Sequence, residues 1–368
     1  MKKKVAIVDP ASYTLPYDFY YIHEIAKAFN VDFYCSTTPF NWEYVEKLAN
    51  IPGVKILPYS VSAVSKLRGF TNYMRMLFCL FKKRSDYHTI HFQFQILRGI
   101  SAWIELGFFK AVHEKLIFTM HSPVPHGYSK RKTYWIFHYI AKFAYRLVFV
   151  SSYTLGRFVG DYNYTGKTSL AQLGLMPLKP DENLPPVHFQ SLEKTIVFWG
   201  NIKPYKGIEL LAEMAESCQF SDFRFEVYGK WDPGMEQLLK RLQACNIQVT
   251  NRFLEDDELR ELLRRPVIFI FPYLNVTQSG VLYTLLFYGA CFITSNSGDN
   301  AHFANRHNMK EIVFERNDLQ SIRKSLEYVV QNHEKLIGKL AAIRDQYDWN
   351  ALTPDPRSIY TGKTMNQE

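Results

Sequence analysis

Two lysines follow a short apolar segment at a spacing that suits phosphate binding. Lys203 and Lys206 lie between Gly200 and Gly207, directly after the β-rich segment Thr195–Trp199. Such a segment is typical of a central strand in a parallel sheet, and the residues after Gly207 are predicted to form an amphipathic helix. Backbone N–H groups and the helix dipole favour an anion where a strand passes into a helix. The predicted chemistry is therefore phosphate binding.

A second segment of the same kind occurs later in the chain. Val267–Phe271 is predicted to be a buried strand and Val281–Tyr288 an apolar helix. Between them, Ser279 and Gly280 leave backbone N–H groups unpaired at a helix start and allow a phosphate to approach closely. Each loop alone is equally compatible with an ordinary connection whose polar residues are solvated. Two such loops in one half of the chain favour the phosphate-binding interpretation.

The first half of the chain has one residue of comparable interest, His121. It directly follows the predicted strand Lys115–Met120, which places it at the carboxyl end of the sheet, where ligands bind. Pro123 and Pro125 then prevent an immediate helix. An isolated histidine is usually structural, but this position also allows a functional role.

Strand and helix patterns alternate along both halves, which predicts α/β architecture with two doubly wound parallel-sheet (Rossmann-like) domains. Asp18 is predicted to cap the first helix, and Ser297–Asn300 is predicted to be a loop. The predicted division is a first domain at 1–175, a proline-rich linker at 176–192, a second domain at 193–345 and a carboxyl-terminal tail at 346–368.

Composition limits the class of protein further. The five cysteines are scattered without zinc or disulfide spacing, which favours a reducing cytosol. The amino-terminal residues lack the pattern of a signal peptide. The most apolar helical segment, Thr133–Val150, is too short and too charged to cross a membrane. We expect a cytoplasmic protein that is soluble or peripheral.

The excess of basic over acidic residues lies entirely in the first half. Residues 1–180 contain 23 Lys and Arg against 10 Asp and Glu, whereas the remainder is net acidic. Basic residues alternate with bulky aromatic residues in two predicted helices, which suits a surface lying on anionic lipid. An amphipathic helix buried on one side is the ordinary alternative, and no nucleic-acid recognition motif is present. The candidate membrane-facing residues are Lys66, Arg68, Arg75, Lys82, Lys83, Arg84, Lys130, Arg131 and Lys132.

A set of short motifs, in this order and spacing, resembles the family 4 glycosyltransferases of the GT-B type, and specifically those of bacterial polysaccharide assembly. The resemblance covers nearly the whole chain. The motifs are Tyr17-Asp18, Thr119-Met-His121 with Pro125-His126, Val148–Ser151, Gly200–Gly207, Phe253–Leu259, Phe271-Pro-Tyr and Thr277–Leu282.

This resemblance implies two domains facing across a cleft, with a UDP- or GDP-linked sugar held mainly by the second. Lys203 and Lys206 would meet the diphosphate and offset the charge of the leaving group. His121 would orient the sugar or stabilise charge, and is catalytic together with Lys206. The other implied donor-binding residues are Gly200, Asn201, Thr277, Gln278, Ser279, Gly280 and Val281. Retaining chemistry is implied, with neither metal nor cofactor.

Two departures from the family pattern affect this assignment. The family commonly has an E-x7-E pair that binds hydroxyl groups, whereas no acidic residue occurs from Pro272 to Gly289. Thr277, Gln278 and Thr284 are the candidate replacements. Asn201 stands where an arginine is common.

The expected function is transfer of a hexose from a nucleotide sugar to a lipid-linked saccharide acceptor in surface polysaccharide biosynthesis. The enzyme would be peripheral on the cytosolic face of the inner membrane and would not bind nucleic acid. The alternative is a weakened or inactive GT-B scaffold of an assembly complex.

Overall fold

The computed structural model describes residues 2–38, 41–62, 64–122, 130–180, 182–186, 191–352 and 354–361, with backbone only for residues 130–133. The chain divides into two compact units. The first unit comprises Met1–Gly174 and Trp349–Glu368, and the second comprises Leu175–Asp348. The segment after Trp349, predicted as a tail, packs within the first unit, where the Tyr360 hydroxyl contacts the Tyr21 hydroxyl at 3.0 Å.

The first unit contains a seven-stranded, entirely parallel sheet in the order β3-β2-β1-β4-β5-β6-β7. Its strands are β1 Lys4–Asp9, β2 Asn30–Cys35, β3 Val54–Pro58, β4 Thr89–Phe92, β5 Leu116–Met120, β6 Arg146–Phe149 and β7 Thr168–Leu170. Its helices are α1 Leu15–Ala26, α2 Trp42–Ala49, α3 Lys66–Lys82, α4 Ala102–Ala111, α5 Lys130–Phe143 and α6 Ser152–Tyr162.

Side-chain alternation along the strands gives this sheet two different faces. Val8 and Phe118 lie on the face that packs against α3, α4 and α5 in one apolar core. The opposite face carries Asp9 and His91, and it packs against α1, whose Tyr21 ring lies 5.8 Å from the His91 ring. One face is therefore apolar, whereas the face under α1 is rich in buried polar groups.

The second unit contains a six-stranded parallel sheet in the order β10-β9-β8-β11-β12-β13. Its strands are β8 Thr195–Trp199, β9 Arg224–Tyr228, β10 Gln248–Thr250, β11 Ile268–Phe271, β12 Phe292–Ser295 and β13 Val313–Phe314. Its helices are α7 Glu209–Glu216, α8 Glu236–Ala244, α9 Asp256–Arg264, α10 Gly280–Tyr288, α11 Gly298–Arg306 and α12 Leu319–Arg344.

The predicted α/β class and parallel sheets are confirmed, but two local predictions are wrong. Asp18 does not cap the first helix, because α1 begins earlier, at Leu15, after Thr14. Residues 297–300 are not a loop throughout, since α11 begins at Gly298. The φ of Gly298 is +67°, a left-handed conformation that glycine adopts without steric cost.

Candidate functional site

The second sheet brings the two predicted phosphate loops side by side. Strands β8 and β11 are neighbours, although β9 and β10 separate them in the chain, so the strand order reverses between them. Ligands of doubly wound sheets bind at the carboxyl edge of such a reversal. The lysine loop (residues 200–207) follows β8, and the serine loop (residues 272–280) follows β11. The backbone N–H of Leu274 donates to the Tyr205 carbonyl at 2.9 Å.

Lys206 occupies a buried position between these loops. Its Nζ atom lies 3.8 Å from the centre of the Tyr273 ring, and the residue is 8% exposed. Burial, with a smaller contribution from nearby Lys203, lowers the pKa of Lys206 to about 7. No carboxylate pairs with its ammonium group among the described residues. A buried cation without an anionic partner is suited to an anionic ligand.

The start of α10 offers hydrogen-bond donors beside this ammonium group. Ser279 is the residue before the first turn, but its side chain makes no capping hydrogen bond. Its buried hydroxyl lies near the buried Tyr273 hydroxyl, and neither has a partner of good geometry within the described parts of the chain. Gly280 is exposed and Val281 half-buried. The first N–H groups of α10 are thus available at the edge of the sheet.

The carbonyl groups of the serine loop face the protein rather than this edge. Ser295 Oγ donates to the Tyr273 carbonyl at 2.7 Å, and Ser297 Oγ donates to the Leu274 carbonyl at 2.8 Å. The Asp299 N–H donates to the Val276 carbonyl at 3.0 Å. Carbonyl oxygens would repel a phosphate, so engaging them elsewhere favours an anion at the loop.

Arg316 joins the two loops and was not identified from the sequence. Its Nε atom donates to the Pro272 carbonyl at 3.0 Å, and its Nη2 atom donates to the Gly207 carbonyl at 3.2 Å and to Glu209 at 2.5 Å. Gly207 has a φ of +63°, and a Cβ there would lie 2.1 Å from the Pro272 carbonyl oxygen. Arg316 follows β13, a two-residue strand whose short sequence gave no signal.

The remaining predicted donor-binding residues lie on the same two loops. A Cβ on Gly200 would be 3.9 Å from Val281 Cγ2, so these two residues adjoin. Asn201 is exposed and Lys203 half-buried. Thr277 is buried and Gln278 half-buried. The proposed replacement Thr284 is 7% exposed, and its hydroxyl donates to the Gly280 carbonyl within α10 at 3.2 Å.

His121 lies in the first unit, immediately after β5. Its ring meets the Tyr17 ring edge-on at 5.5 Å and is 7% exposed. Burial lowers the pKa of His121 to about 4, so the ring is neutral at pH 7. A neutral imidazole can orient a ligand by hydrogen bonding but supplies no positive charge. Its neighbour His126 lies outside the described residues.

The predicted membrane-facing segment Val61–Arg84 forms α3, which has two dissimilar sides. Tyr73 and Met76 are buried in the apolar core, whereas Leu67 is 78% and Phe78 58% exposed. Lys82 lies 4.5 Å from the Phe78 ring, and Arg84 lies 4.0 Å from the ring of Phe81. The side chains of Lys130, Arg131 and Lys132 lie outside the described residues. No helix in the described ranges has the length and apolarity needed to cross a bilayer.

Comparisons with known proteins agree with this architecture. Residues 193–332 match the family model described as Glycosyl transferases group 1. No curated protein sequence matched the chain.

Solved structures extend the likeness to both units. HepE from Anabaena, solved with UDP-glucose, is 11% identical, with a TM-score of 0.68 over 97% of this chain and 98% of that chain. WaaG, a glycosyltransferase involved in lipopolysaccharide biosynthesis, is 13% identical, with a TM-score of 0.64 over 98% of this chain and 100% of that chain. Sucrose-phosphate synthase from Thermosynechococcus elongatus is 15% identical, with a TM-score of 0.66 over 98% of this chain and 97% of that chain. The chain therefore has the GT-B fold of these structures, and residues 193–332 of its second unit are similar to the Glycosyl transferases group 1 family.

Proposed function

We propose that the protein transfers a sugar, with retention of configuration, from a nucleotide sugar to a lipid-linked saccharide acceptor during surface polysaccharide assembly. The observation that carries the donor assignment is the convergence of the Lys206 ammonium group and the start of α10 at one sheet edge. The similar HepE was solved with UDP and with UDP-glucose. We therefore assign a nucleoside diphosphate to the lysine and serine loops.

The residues at this edge would act on the leaving group. When the bond from the sugar to the diphosphate breaks, negative charge grows on the diphosphate oxygen. Lys206 and Lys203 would offset that charge, and the N–H groups of Ser279, Gly280 and Val281 would hold the phosphates. The acceptor hydroxyl oxygen forms the new bond and gives its proton to the departing diphosphate. His121 would orient the sugar as a neutral hydrogen-bonding group.

The acceptor and location rest on the first unit. Its α3 helix presents cations beside exposed Leu67 and Phe78, which suits contact with an anionic membrane. WaaG, which has the same fold, is described as acting in lipopolysaccharide biosynthesis. These features support a lipid-linked acceptor and a peripheral position on the cytosolic membrane face.

Thermal unfolding with UDP and GDP tests the donor assignment, because a ligand that binds only the native state raises the melting temperature. We expect UDP or GDP to raise it in the wild type and to have little effect in Lys206→Ala. We expect Lys206→Ala to reduce turnover by about 10²–10³-fold. Lys240→Ala, at an exposed position on α8, is the matched control. No shift with either nucleotide would instead support a non-catalytic scaffold.

A further inference from the structure

The carboxyl-terminal segment, by which we mean the described residues within 349–361, packs against α1 at two places. At the first, the Trp349 ring stacks on the Tyr20 ring, with centres 5.4 Å apart and planes 16° from parallel. At the second, the Tyr360 hydroxyl contacts the Tyr21 hydroxyl at 3.0 Å. Aromatic side chains near both ends of the segment therefore fix it to the helix.

The Tyr17 ring connects this segment to His121. Tyr17 lies about one turn before Tyr20 and Tyr21 on the same face of α1. Its ring stacks on the Tyr21 ring, with centres 5.3 Å apart, and lies 5.7 Å from the Trp349 ring. It also meets the His121 ring edge-on at 5.5 Å, with the two planes 88° apart. Tyr17 thus links the candidate catalytic histidine directly to the carboxyl-terminal segment.

A second connection runs through His91 on β4. Its Nδ1 atom lies 2.5 Å from the Tyr360 hydroxyl, and its Nε2 atom lies 2.7 Å from Thr119 Oγ1. Thr119 is two residues before His121, so the two side chains lie on the same side of the β5 backbone. Burial, together with the nearby His121 ring, lowers the pKa of His91 to about 3. At pH 7 His91 is therefore a neutral ring that joins a hydroxyl of the carboxyl-terminal segment to a hydroxyl of β5.

These contacts are buried. Tyr21 and His91 are 0% exposed, and Trp349 is 8% exposed. The Trp349 indole lies directly over Gly174, where a Cβ would be 2.6 Å from Trp349 Cε2. A ring in such a close-packed interior can turn only if its neighbours move. The orientation of His121 therefore depends on a segment that is distant from it in sequence.

Orientation matters for the role assigned to His121. A neutral imidazole acts on a sugar through a hydrogen bond, which is directional. Displacing a catalytic group by about 1 Å can reduce the rate by about 10²-fold. The carboxyl-terminal segment can therefore affect sugar transfer without touching the substrate.

We propose that Trp349 and Tyr360 are positioning residues that set the orientation of the His121 ring, Trp349 through Tyr17 and Tyr360 through His91. This inference rests on the proposed function, because the role of His121 in sugar transfer is part of that proposal.

Trp349→Leu and a matched control test the first connection. Trp349→Leu removes the ring beside Tyr17, and Phe158→Leu removes a buried ring of the same unit that stacks on Tyr162 at 4.4 Å. Both variants should lower the melting temperature, but only Trp349→Leu should affect His121. Trp349→Phe, which keeps a ring at this position, should restore most of the wild-type behaviour.

Tyr360→Phe tests the second connection and is the milder variant, because it removes one hydroxyl and no ring. Its control is Tyr34→Phe, which removes a buried hydroxyl that lies 2.8 Å from the Tyr87 hydroxyl. Tyr360→Phe also provides the test if Trp349→Leu does not fold.

NMR of the histidine side chains, with His121 assigned by means of His121→Gln, measures the state of this ring without any substrate. Burial holds the pKa of His121 at about 4, so its resonances should barely titrate between pH 6 and 8 in the wild type. A ring released from Tyr17 gains access to water. Its pKa should therefore rise towards the ordinary value of about 6.5 in Trp349→Leu, and less far in Tyr360→Phe. Both controls should show the wild-type titration.

Hydrolysis of UDP-glucose and GDP-mannose, followed by the release of UDP or GDP, measures turnover without an acceptor. We expect Trp349→Leu to lower kcat by about 10–10²-fold, and Tyr360→Phe to lower it less. The affinity for UDP should stay at the wild-type value, because the lysine and serine loops lie in the second unit.

The same His121 titration in the wild type, Trp349→Leu and Tyr360→Phe would overturn the inference, as would an equal change in the two controls. The proposed function would fail in a different way. If His121→Gln hydrolysed the sugar nucleotides at the wild-type rate, His121 would have no part in turnover. The NMR comparison would still decide whether Trp349 and Tyr360 position its ring.

Discussion

Burial of the Lys206 ammonium group makes its charge dependent on pH near neutrality. The pKa of Lys206 is lowered to about 7, whereas a bound diphosphate would favour the charged form and raise it. Above pH 7 the protein must take up a proton in order to bind UDP. We expect the affinity for UDP to fall with increasing pH between 7 and 9, by up to about tenfold per unit, as measured by calorimetry.

Lys206→Arg provides the control, because a guanidinium stays charged throughout this range. Its UDP affinity, although different at pH 7, should change little up to pH 9. An equally flat profile in the wild type would show that the Lys206 ammonium does not meet the diphosphate.

Glu105 is a second buried ionisable group, and it fixes the segment that follows β4. Its carboxylate accepts from the Ile96 N–H at 3.1 Å and the Leu97 N–H at 2.8 Å, and also from the Tyr73 hydroxyl. Burial raises the pKa of Glu105 to about 7. The folded state therefore binds this proton more tightly than the unfolded chain does.

This contribution to stability is fully present below about pH 4.5 and is lost as the pH rises to about 7, a change of about 3 kcal/mol. Glu105→Gln should remove that part of the pH dependence while it keeps the hydrogen bonds that Gln can accept. Urea unfolding between pH 4 and 8 measures the difference. If the free energy of unfolding changed with pH equally in the wild type and the variant, Glu105 would not be the group responsible.

Which of these side chains the sequence could reveal depends on how local their signal is. Lys206 and Ser279 were identified because each lies within a few residues of a strand end and a helix start. Arg316 was not, since its importance comes from contacts with chain segments far away in sequence. No spacing rule links Arg316 to Pro272.

Among the elements, the lysine loop depends on one glycine. Gly207 has a φ of +63°, and a side chain there would collide with the Pro272 carbonyl. We expect Gly207→Ala to destabilise the second unit by about 2 kcal/mol or more in urea unfolding. Gly338→Ala is the matched control, because a Cβ there meets no atom within 4 Å and α12 should gain slightly from alanine. Equal stability of the two variants would refute this role.

Arg316 should determine how well the two loops are held together. Removing it leaves two carbonyl groups and Glu209 without their partner, so we expect Arg316→Ala to weaken UDP binding by about tenfold. Arg316→Lys should recover part of this loss. Arg323→Ala breaks a comparable ion pair, with Asp222, away from the loops and is the control. Unchanged UDP affinity in Arg316→Ala would exclude a positioning role.

The elements themselves were predicted unevenly. Long apolar strands such as β8 and β11 were identified because their composition is distinctive. The first helix starts at Leu15 rather than after Asp18, since the Asp18 carboxyl group is engaged with Asp9 and Thr14 instead of a helix end. Competition between a local cap and a tertiary contact cannot be read from a local pattern.

At the scale of the whole molecule, the distribution of charge indicates that one helical surface of the first unit is the one that contacts the membrane. The basic helical layer, α3 to α5, contains a single acidic residue in its sequence, the buried Glu105. Its exposed apolar residues extend beyond the predicted segments to α4, where Trp103 is 51% exposed and the preceding Ile100 is 90% exposed. This combination suits an anionic lipid surface.

We expect the protein to sediment with phosphatidylglycerol vesicles and to be released by salt. Replacing Lys82, Lys83 and Arg84 with Gln should weaken binding by about 10²-fold, at about 1 kcal/mol for each charge. Replacing Lys230, Lys240 and Lys335 of the second unit is the matched control. Binding that persists unchanged in the first variant would exclude this segment as the contact.

The two-domain α/β architecture was predictable because alternating strands and helices admit few other arrangements. The sequence also indicated the basic excess of the first half. It could not show which face of α3 is exposed, because Met76 and Phe78 are both apolar and only the packing distinguishes them.

The anchored carbonyls of the serine loop have a consequence for the energetics of association. Ser295, Ser297 and the Asp299 backbone already hold this segment in place. A nucleotide arriving there would meet a prearranged backbone, so little conformational entropy would be lost on complex formation. Encounter, rather than a slow rearrangement of this loop, would then limit the rate of capture.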